Sequence, residues 1–484
     1  MPKPYRITVA VLAGLAILMF AYPCYRIGFE TEIDYNEGWN SFMQLRAMGG
    51  ASPYSRDFPM FFNNYPPLSF YLVGLLGAVI DDPTTAGRLL SLLAVAAITA
   101  SSAMVTRAAG GGRTDAALGA ATCLGLFSAF ATDYVGVNDP QLLAQAFLCL
   151  GFAIYVGTPA TPVRLGMVAA LFALGLLTKH NVLVLPLVVS LHALWRARGA
   201  ARITYFATGI ALAALAGLAI HLLYGPDFFR LLLAPRTYDV GRGFLMAMEV
   251  FGHLQSALAA VGLFLLLARK EDTVTTLVAA YLLGSLVLGC LLAGGAGVDI
   301  NIFFDTMIAL AMGTGLAAKR LRQQTGLPAG APTLLALVAN AGVILFSPEA
   351  LGRFGVDALG ELDQRQALFR EDLAYLKGIP GPAICESMLL CLKSGRPVWF
   401  DPYNTLQATL TGRLDPDQVL GLLRDHAVAV VQVSSTREHP VDQAPGAQAM
   451  PPRFVNMGDP VFDELDRSYR LDRVGLSGRF YRPR

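Results

Sequence analysis

The stretch "ITVAVLAGLAILMFAYPCY", residues 7–25, is an uninterrupted apolar run, and the polar stretch "TEIDYNEGWNSF" follows it at 31–42. A helix that crosses a bilayer needs about 20 mainly apolar residues, so residues 7–25 predict a membrane span. "AYPCYR" at its end lacks the small-residue cleavage pattern of a signal peptide, which favours a retained anchor. Glu32, Asp34 and Glu37 therefore lie where the chain leaves the membrane.

The same apolar composition continues along the chain. Of its 484 residues, 54% are hydrophobic and 15% are charged, whereas soluble proteins carry about 25% charged residues. We therefore predict a polytopic α-helical membrane protein with eleven spans, at residues 7–25, 86–106, 115–132, 140–157, 163–178, 182–195, 203–223, 250–268, 273–293, 302–318 and 331–347. The stretch "PPLSFYLVGLLGAVI" (66–80) is short and opens with two prolines, which predicts a juxtamembrane or re-entrant helix within an outer loop, 26–85.

The charges of the loops indicate how these spans are oriented. With the N-terminus in the cytoplasm, the inner loops and adjoining span ends hold 13 Lys and Arg against three acids, and the outer loops and adjoining span ends before residue 348 hold eight basic and 14 acidic residues. Cytoplasmic loops carry an excess of Lys and Arg. We therefore expect a multi-pass protein with a cytoplasmic N-terminus and an extracytoplasmic C-terminus.

A change in charge density divides the chain into two predicted domains. Residues 1–347 hold 38 of the 72 charged residues, and residues 348–484 hold the other 34. We predict a transmembrane domain over 1–347 and a small soluble α/β domain over 348–484, in which "GPAICESMLLCLKSGRPVWFDPYN" and "DPDQVLGLLRDHAVAVVQVSS" each supply strand and helix. Cys385 and Cys391 lie in this tail and could form a disulfide if it is exported.

The unusual polar segments all fall on the predicted outer side. They are "IDYNEGWN" (33–40), "NNYPPL" (63–68), "TDYVGVNDPQ" (132–141), "TKHN" (178–181), "YGPDFFRLLLAPRTYDVGRG" (224–243) and "GGAGVDINIFFD" (294–305). Carboxylates from some loops and cations from others suit an anionic lipid headgroup beside a base. Cations stabilise the charge that develops on a departing lipid phosphate, and Asp or Glu can take the proton of an acceptor hydroxyl. The candidate catalytic residues are Asp34, Glu37 and Asp139, and the candidate substrate-binding residues are Lys179, His180, Arg236 and Arg242.

Each of these residues also has a plainer interpretation. An acid before "GWNSFMQLRAM" favours the positive end of a helix, and Asp139 followed by proline is typical of a helix start. Lys179 could extend its ammonium group to water at the membrane surface, and the arginines could contact lipid headgroups in general. The six histidines show no metal-ligand spacing. We therefore expect no required metal or other cofactor, although outer acids that converge could bind a divalent cation.

The order and sidedness of these motifs resemble the GT-C glycosyltransferases. The resemblance rests on a first outer loop with paired acids, a Pro-Pro amphipathic stretch and an Asp that opens the fourth span, and it covers about residues 5–320. The group it most resembles is the bacterial branch of protein O-mannosyltransferase-like enzymes (glycosyltransferase family 39 and its relatives), which includes the lipid A aminoarabinose transferase. The resemblance implies an enzyme that takes a sugar from a polyprenyl phosphate carrier on the outer face of the membrane.

The resemblance assigns roles to the acids of the outer loops. The first-loop Asp-Glu pair of the family falls on "NEGW", where Glu37 matches the second acid and Asn36 stands at the first. Asp34 lies two residues earlier and could substitute for the missing acid. The second-loop acid of the family matches Asp139 in "VNDPQ".

The resemblance also bears on phosphate binding. The basic residue often found before the amphipathic stretch is absent from "NNYPPL", where Asn64 and Tyr65 stand instead and are further candidate substrate-binding residues. Phosphate binding would then move to Lys179 or to the arginines of 230–242. The glycine-rich stretch 294–305 resembles a late outer motif of the family, which implies that Asn301 contacts the substrate.

Together these inferences predict a metal-independent, inverting glycosyltransferase of a bacterial inner membrane, with its tail in the periplasm. Its substrates would be a polyprenyl-phosphate sugar and a glycan, lipid or protein acceptor of the cell envelope, and the resemblance implies that the tail helps with the acceptor. The alternative is a transporter or flippase of lipid-linked saccharide; such proteins often contain internal repeats, and none is clear here. A third hypothesis is a scaffold that acts through its tail, whereas no motif indicates nucleic-acid binding.

Overall fold

A computed structural model describes residues 3–54, 61–157, 160–267, 272–399, 401–434 and 456–484. The predicted loops "TPATPVR" and "ARKED" and the outer loop 26–85 lie partly outside these residues. Within them the chain is mainly helical, as its composition predicts, and a small sheet occurs only near the C-terminus.

A helix lies over each of the eleven predicted spans. These helices are α1 (Lys3–Arg26), α4 (Pro83–Ala108), α5 (Arg113–Phe130), α6 (Pro140–Gly157), α7 (Pro162–Thr178), α8 (Val184–Arg196), α9 (Gly199–Tyr224), α11 (Val240–Leu267), α12 (Thr273–Leu292), α13 (Phe304–Gln323) and the consecutive pair α14 (Ala331–Ala339) and α15 (Ala341–Val356). Of the described helices, seven are long and apolar enough to cross a bilayer, or eight if the bent pair over 331–378 is one span. The helical membrane fold is thus confirmed, while the count of eleven crossings stays a prediction, because α7 and α8 are short apolar helices.

The centre of the bundle is α13. Every residue from Phe304 to Ala318 is buried, and α4, α5, α11, α12 and α14 pack around this helix. A helix that is apolar on all sides is stable when other elements surround it. By contrast, α9 buries only Ala201, Tyr205 and Ile220, which places it at the lipid-facing edge of the bundle.

Asp115, near the start of α5, fixes one end of the bundle. Its carboxylate accepts hydrogen bonds from the Arg322 guanidinium of α13 at 2.9 Å and from the Tyr5 hydroxyl of α1 at 3.1 Å. A buried carboxylate is stable only with such partners. The chain segments predicted to be cytoplasmic around these three residues therefore meet at one end, and the polar segments predicted to lie outside meet at the other.

Three shorter helices lie at that other end. They are α2 (Asn36–Met48), α3 (Leu68–Ile80) and α10 (Asp227–Leu232). The prolines before α3 begin the helix predicted over 66–80, and α3 packs against α2, α4 and α7. The first outer loop is thus folded onto the bundle rather than extended from it.

The C-terminal part continues from α15 through a π-helical turn, Asp357–Glu361, and builds a small α/β unit. Its elements are α16 (Leu362–Gly378), β1 (Ala383–Cys385), α17 (Met388–Lys393), α18 (Pro402–Leu410), α19 (Pro416–Arg424), β2 (Val430–Val433), α20 (Asp459–Ser468), β3 (Tyr469–Gly475) and β4 (Gly478–Pro483). The strand order is β1-β2-β4-β3, with β1 and β2 parallel and the other neighbours antiparallel. The α/β prediction is confirmed: the first quoted stretch forms β1 and α17, and the second forms α19 and β2.

This C-terminal unit packs directly onto the first outer loop. One apolar cluster contains Trp39 and Met43 of α2 together with Met388 and Leu390 of α17. The two helices approach so closely that an ideal Cβ on Gly38 would lie 2.2 Å from the Leu389 amide nitrogen. Cys385 and Cys391 form a disulfide that closes the loop between β1 and α17. The tail and the membrane bundle therefore share a core.

We predict that Gly38→Ala destabilises the protein, because the added methyl group must separate α17 from α2. Overpacking of this kind costs about 1–3 kcal/mol, which thermal unfolding of the detergent-solubilised protein would detect as a lower Tm. Gly28→Ala is the matched control, since no atom lies within 4 Å of its Cβ position. An unchanged Tm in Gly38→Ala would contradict the close contact between the two helices.

Candidate functional site

The six outer polar segments converge in the structure. The Asn138 amide donates to Glu37 at 3.2 Å, and the Lys179 ammonium group lies 3.3 Å from the Asp139 carboxylate. The Arg236 guanidinium donates to the Asn64 side chain at 3.1 Å. These contacts join five of the six outer segments, and the Ala296 carbonyl, which accepts from Arg236 at 3.2 Å, adds the sixth.

Glu37 forms a buried ion pair with Arg88 of α4. The guanidinium donates to both carboxylate oxygens at 2.7 and 2.6 Å, and both side chains are at most 1% exposed. The backbone amides of Ile33 and Asn138 donate to the same carboxylate at 2.8 and 3.2 Å. With four hydrogen-bond donors around it, this carboxylate attaches the first outer loop to α4 and to the backbone of Asn138.

Asp34 lies in the loop that Glu37 fixes, and it is half-buried. Its carboxylate accepts a hydrogen bond from the Asn36 amide at 2.8 Å. Burial, opposed by the Asn36 amide and reinforced by the charges of Asp299 and Asp139, raises the pKa of Asp34 to about 8. A carboxyl group with a pKa near neutral pH is suited to proton transfer.

Asp139 and Lys179 form a second buried pair, in which each side chain is 3% exposed. Asp139 precedes Pro140 at the start of α6, and one of its oxygens accepts from the Gln141 amide at 2.7 Å. The predicted helix-start geometry therefore occurs together with the ion pair. The Lys179 ammonium group also lies 4.9 Å from the centre of the Tyr65 ring. The second oxygen of Asp139 has no hydrogen-bond partner in the described chain.

His180 is one of the residues that line an apolar groove with a volume of about 440 Å³. The groove runs between α7 and α9, and its walls include Phe172, Ala213, Gly217 and Ile220. Burial, together with the positive charges of Lys179 and Arg236, lowers the pKa of His180 to about 4. The imidazole is therefore neutral at physiological pH, with two cations beside it.

Neutral groups hold the Arg236 guanidinium in place. It donates to the side-chain oxygens of Asn64 and Asn404 at 3.1 and 2.8 Å and to the Ala296 carbonyl at 3.2 Å. It also lies over the Tyr403 ring, 5.8 Å from its centre. None of these hydrogen-bond partners is a carboxylate; the Asp401 carboxyl group interacts with Arg236 through charge alone.

The remaining candidates belong to the turn 294–303. Arg242 donates to the carbonyls of Gly295, at 2.7 Å, and Val298, so it supports this turn. Asn301 is buried in the 3-10 helix Ile300–Phe303 that follows Asp299. Within the described residues, no group of three or more His, Cys, Asp or Glu is arranged to hold a metal ion.

Several residues of the site are not among the predicted candidates. Arg88 lies inside an apolar span, where a lone arginine signals a buried carboxylate partner. Tyr35 lies next to Asp34 in the first outer loop, and Asn404 lies in the C-terminal unit, far away in sequence. The sequence signal for α18 is the Asp401-Pro402 pair, which is typical of a helix start.

Solved structures match the chain, whereas no family model and no curated protein does. ArnT from Cupriavidus metallidurans in the apo state is 13% identical, with a TM-score of 0.62 over 98% of this chain and 97% of that chain. Its structure bound to undecaprenyl phosphate covers the same shares at 12% identity and a TM-score of 0.60. The oligosaccharyltransferase AglB from Archaeoglobus fulgidus, in complex with an inhibitory peptide and a dolichol-phosphate, is 11% identical, with a TM-score of 0.51 over 88% of this chain and 69% of that chain.

These matches show that the chain has the GT-C fold of membrane glycosyltransferases, as the sequence resemblance implies. The match to ArnT extends over nearly the whole chain, whereas the sequence resemblance covers only about residues 5–320. The C-terminal unit is therefore part of the shared architecture. At such low identity the comparison shows the fold and leaves the activity to be inferred from the site.

We predict that Glu37→Gln is strongly destabilising, because it leaves the Arg88 guanidinium buried without its counter-charge. Removal of one partner of a buried ion pair costs about 3–5 kcal/mol, which a thermal unfolding curve in detergent would show. Asp34→Asn is the matched control, since a carboxyl group with a pKa of about 8 is mostly uncharged at pH 7. Equal unfolding temperatures for the two variants would show that the Glu37–Arg88 pair does not support the fold.

Proposed function

We propose that the protein is an integral-membrane, inverting glycosyltransferase that moves a sugar from a polyprenyl-phosphate carrier to a cell-envelope acceptor on the outer face of the inner membrane. The observation that carries this proposal is the apolar groove, which His180 lines, together with the cations Lys179 and Arg236, whose positive charges act on His180. Asp34, with its raised pKa, belongs to the same convergence of loops. The groove matches a long apolar chain, the two cations match a phosphate, and Asp34 matches an acceptor hydroxyl.

The donor would occupy the groove with its isoprenoid chain. The wall formed by α9 is at the lipid-facing edge of the bundle, so a lipid can enter from the side. A volume of about 440 Å³ is in the range of ligand-binding clefts, roughly 300–1,000 Å³. The structures of ArnT with undecaprenyl phosphate and of AglB with a dolichol-phosphate contain lipids of this chemical class, which supports the assignment.

The phosphate would lie beside His180, at the edge of the groove. Arg236 is held there by neutral acceptors, and the ammonium group of Lys179 is fixed by Asp139 and Tyr65. Fixed cations at the position where charge develops lower the barrier of a reaction. Neutral His180 can donate a hydrogen bond to a phosphate oxygen without adding charge.

The reaction would be a single displacement at the anomeric carbon. The acceptor oxygen forms a bond to that carbon from the face opposite the phosphate, and the bond to the phosphate oxygen breaks. The electron pair leaves with polyprenyl phosphate, whose charge Lys179 and Arg236 stabilise. The proton of the acceptor moves to the Asp34 carboxylate. Attack from the opposite face inverts the anomeric centre.

The three predicted catalytic acids would then have different roles. Asp34 is the base, because its environment raises its pKa. Glu37 holds the loop that carries Asp34, because Arg88 and two backbone amides already occupy its carboxylate. Asp139 fixes Lys179.

The location of the site on the outer face rests on two observations. The loops predicted to be cytoplasmic and their adjoining span ends hold 13 Lys and Arg against three acids, and such an excess is typical of the cytoplasmic side. The Cys385–Cys391 disulfide lies in the tail, and disulfides persist in oxidising compartments such as the periplasm. Both support a cytoplasmic N-terminus and a periplasmic tail.

The test is the release of polyprenyl phosphate by the purified protein from a panel of polyprenyl-phosphate sugars, with cell-envelope extract as the acceptor source. We expect release that depends on both donor and acceptor. In Asp34→Asn it should fall to background while Tm is unchanged. Absence of release with every donor, together with movement of lipid-linked saccharide across proteoliposomes, would identify a transporter instead.

The raised pKa of Asp34 predicts the pH dependence of this release. The base must be ionised, so kcat/KM should rise with pH and level off above about 8. Asp133→Asn is the matched control: the charge of Asp133 contributes to the raised pKa, so its loss should move the rise to lower pH and leave turnover intact. A kcat/KM that is constant from pH 6 to pH 9 would exclude Asp34 as the base.

The groove predicts how chain length affects donor use. Gly217 lines the groove, and no atom lies within 4 Å of its Cβ position, so Gly217→Phe should fill it. We expect KM for a long-chain donor to rise about tenfold or more, while KM for a short-chain analogue changes little. Leu218→Phe, at an exposed neighbour on the same helix, is the control. Equal effects of Gly217→Phe on both donors would place the chain elsewhere.

A further inference from the structure

Helix α18 of the C-terminal unit lies against the candidate phosphate site. Asn404 and Gln407 are three residues apart and thus share one face of this helix. The Asn404 side-chain oxygen accepts from the Arg236 guanidinium at 2.8 Å. The Gln407 side-chain oxygen accepts from the backbone amide of Thr237 at 3.2 Å and from its hydroxyl at 3.0 Å. One face of α18 therefore holds both the side chain of Arg236 and the backbone next to it.

The N-terminal end of α18 contacts the loop that carries Asp34. Asp401 caps the helix by accepting from the Asn404 amide at 3.1 Å, and it also accepts from the Tyr35 hydroxyl at 3.2 Å. The Tyr403 amide donates back to the Tyr35 oxygen at 3.2 Å. The helix therefore connects the neighbour of Asp34 to Arg236.

The turn around Gly297 requires close approach to the same cluster. Gly297 has a φ of +77°, and an ideal Cβ there would lie 2.6 Å from an Arg236 nitrogen and 2.9 Å from the Tyr403 hydroxyl. Any side chain at this position would displace the guanidinium. The position of Arg236 is thus set from both sides, by the turn and by α18.

The chemical nature of the Arg236 partners is informative. A carboxylate at residue 404 or 407 would neutralise the guanidinium, whereas amide oxygens orient it and leave its charge free. A long arginine side chain loses conformational entropy when it is ordered, so prior ordering favours a later contact with an anion.

From these contacts we infer that Asn404 and Gln407 are positioning residues for Arg236, so that the C-terminal unit is built into the binding site of the donor phosphate. This inference rests on the proposed function and goes beyond it, because the resemblance to known enzymes implies only a role of the tail with the acceptor. Donor binding should then depend on α18, a helix far from Arg236 in sequence.

The test compares Asn404→Ala with Thr409→Ala. Thr409 is on the same helix, and its hydroxyl bonds to the Leu406 carbonyl of that helix. A hydrogen bond to a charged group corresponds to roughly ten- to hundredfold in affinity. We expect Asn404→Ala to lower kcat/KM for the donor about tenfold, because Arg236 contributes both to phosphate binding and to stabilisation of the leaving group, and Thr409→Ala to leave kcat/KM unchanged.

A binding measurement separates positioning from general support of the fold. Polyprenyl phosphate and the corresponding polyprenol are titrated into the detergent-solubilised variants by isothermal calorimetry. Asn404→Ala should weaken binding of the phosphate about tenfold and leave binding of the alcohol unchanged. Equal losses for both lipids would overturn the inference, because the variant would then disturb the groove as a whole.

Gln407→Glu tests the requirement for a neutral partner. The carboxylate can still accept from Thr237, so a purely structural role predicts wild-type donor affinity at unchanged Tm. We expect weaker phosphate binding instead, since the added charge competes for Arg236. Wild-type turnover with unaltered KM in both variants would reject the inference and keep the proposed function, whereas a wild-type protein without turnover would reject the proposed function itself.

Discussion

The buried ion pair between Glu37 and Arg88 is the interaction on which the outer face depends. A guanidinium inside an apolar bundle is unfavourable without a counter-charge, and here it receives one from the first outer loop. The loop therefore cannot leave the bundle without leaving the Arg88 guanidinium unpaired in an apolar environment. Because the same carboxylate accepts from the Asn138 amide, the first and second acidic loops are held together. Asp34 owes its position, and hence its raised pKa, to this anchor.

The second feature of the site is that its two cations, Lys179 and Arg236, have different kinds of partner. Lys179 is paired with a carboxylate and lies close to an aromatic ring, whereas Arg236 is surrounded by amides, a carbonyl and a ring. Burial and these two positive charges lower the pKa of His180. A site arranged in this way is electrostatically incomplete until an anion enters. The neighbouring groove has the complementary property, since it is an apolar cavity at the lipid-facing edge.

The C-terminal unit forms part of this site. It shares a core with α2, meets the backbone of that helix at Gly38, and supplies the amide that orients Arg236. The predicted boundary at residue 348 stays a prediction, and α15 runs past it as far as Val356. In physical terms the tail behaves as one wall of the site.

The sequence by itself determined the helical membrane fold, the place of each long helix and the polar segments that share one face, because apolar length and loop charge are local properties of a chain. The Asp-Pro start of α6 and the cysteine pair of the tail could likewise be read directly. Only the tertiary structure decided which of the predicted acids is held in an ion pair and which could accept a proton. The decisive contacts join residues 51 positions apart for Glu37 and Arg88, 168 for Arg236 and Asn404, and 366 for Tyr35 and Asp401. Such partners have no common local pattern, and their pKa values and charges depend on burial that exists only after the chain has folded.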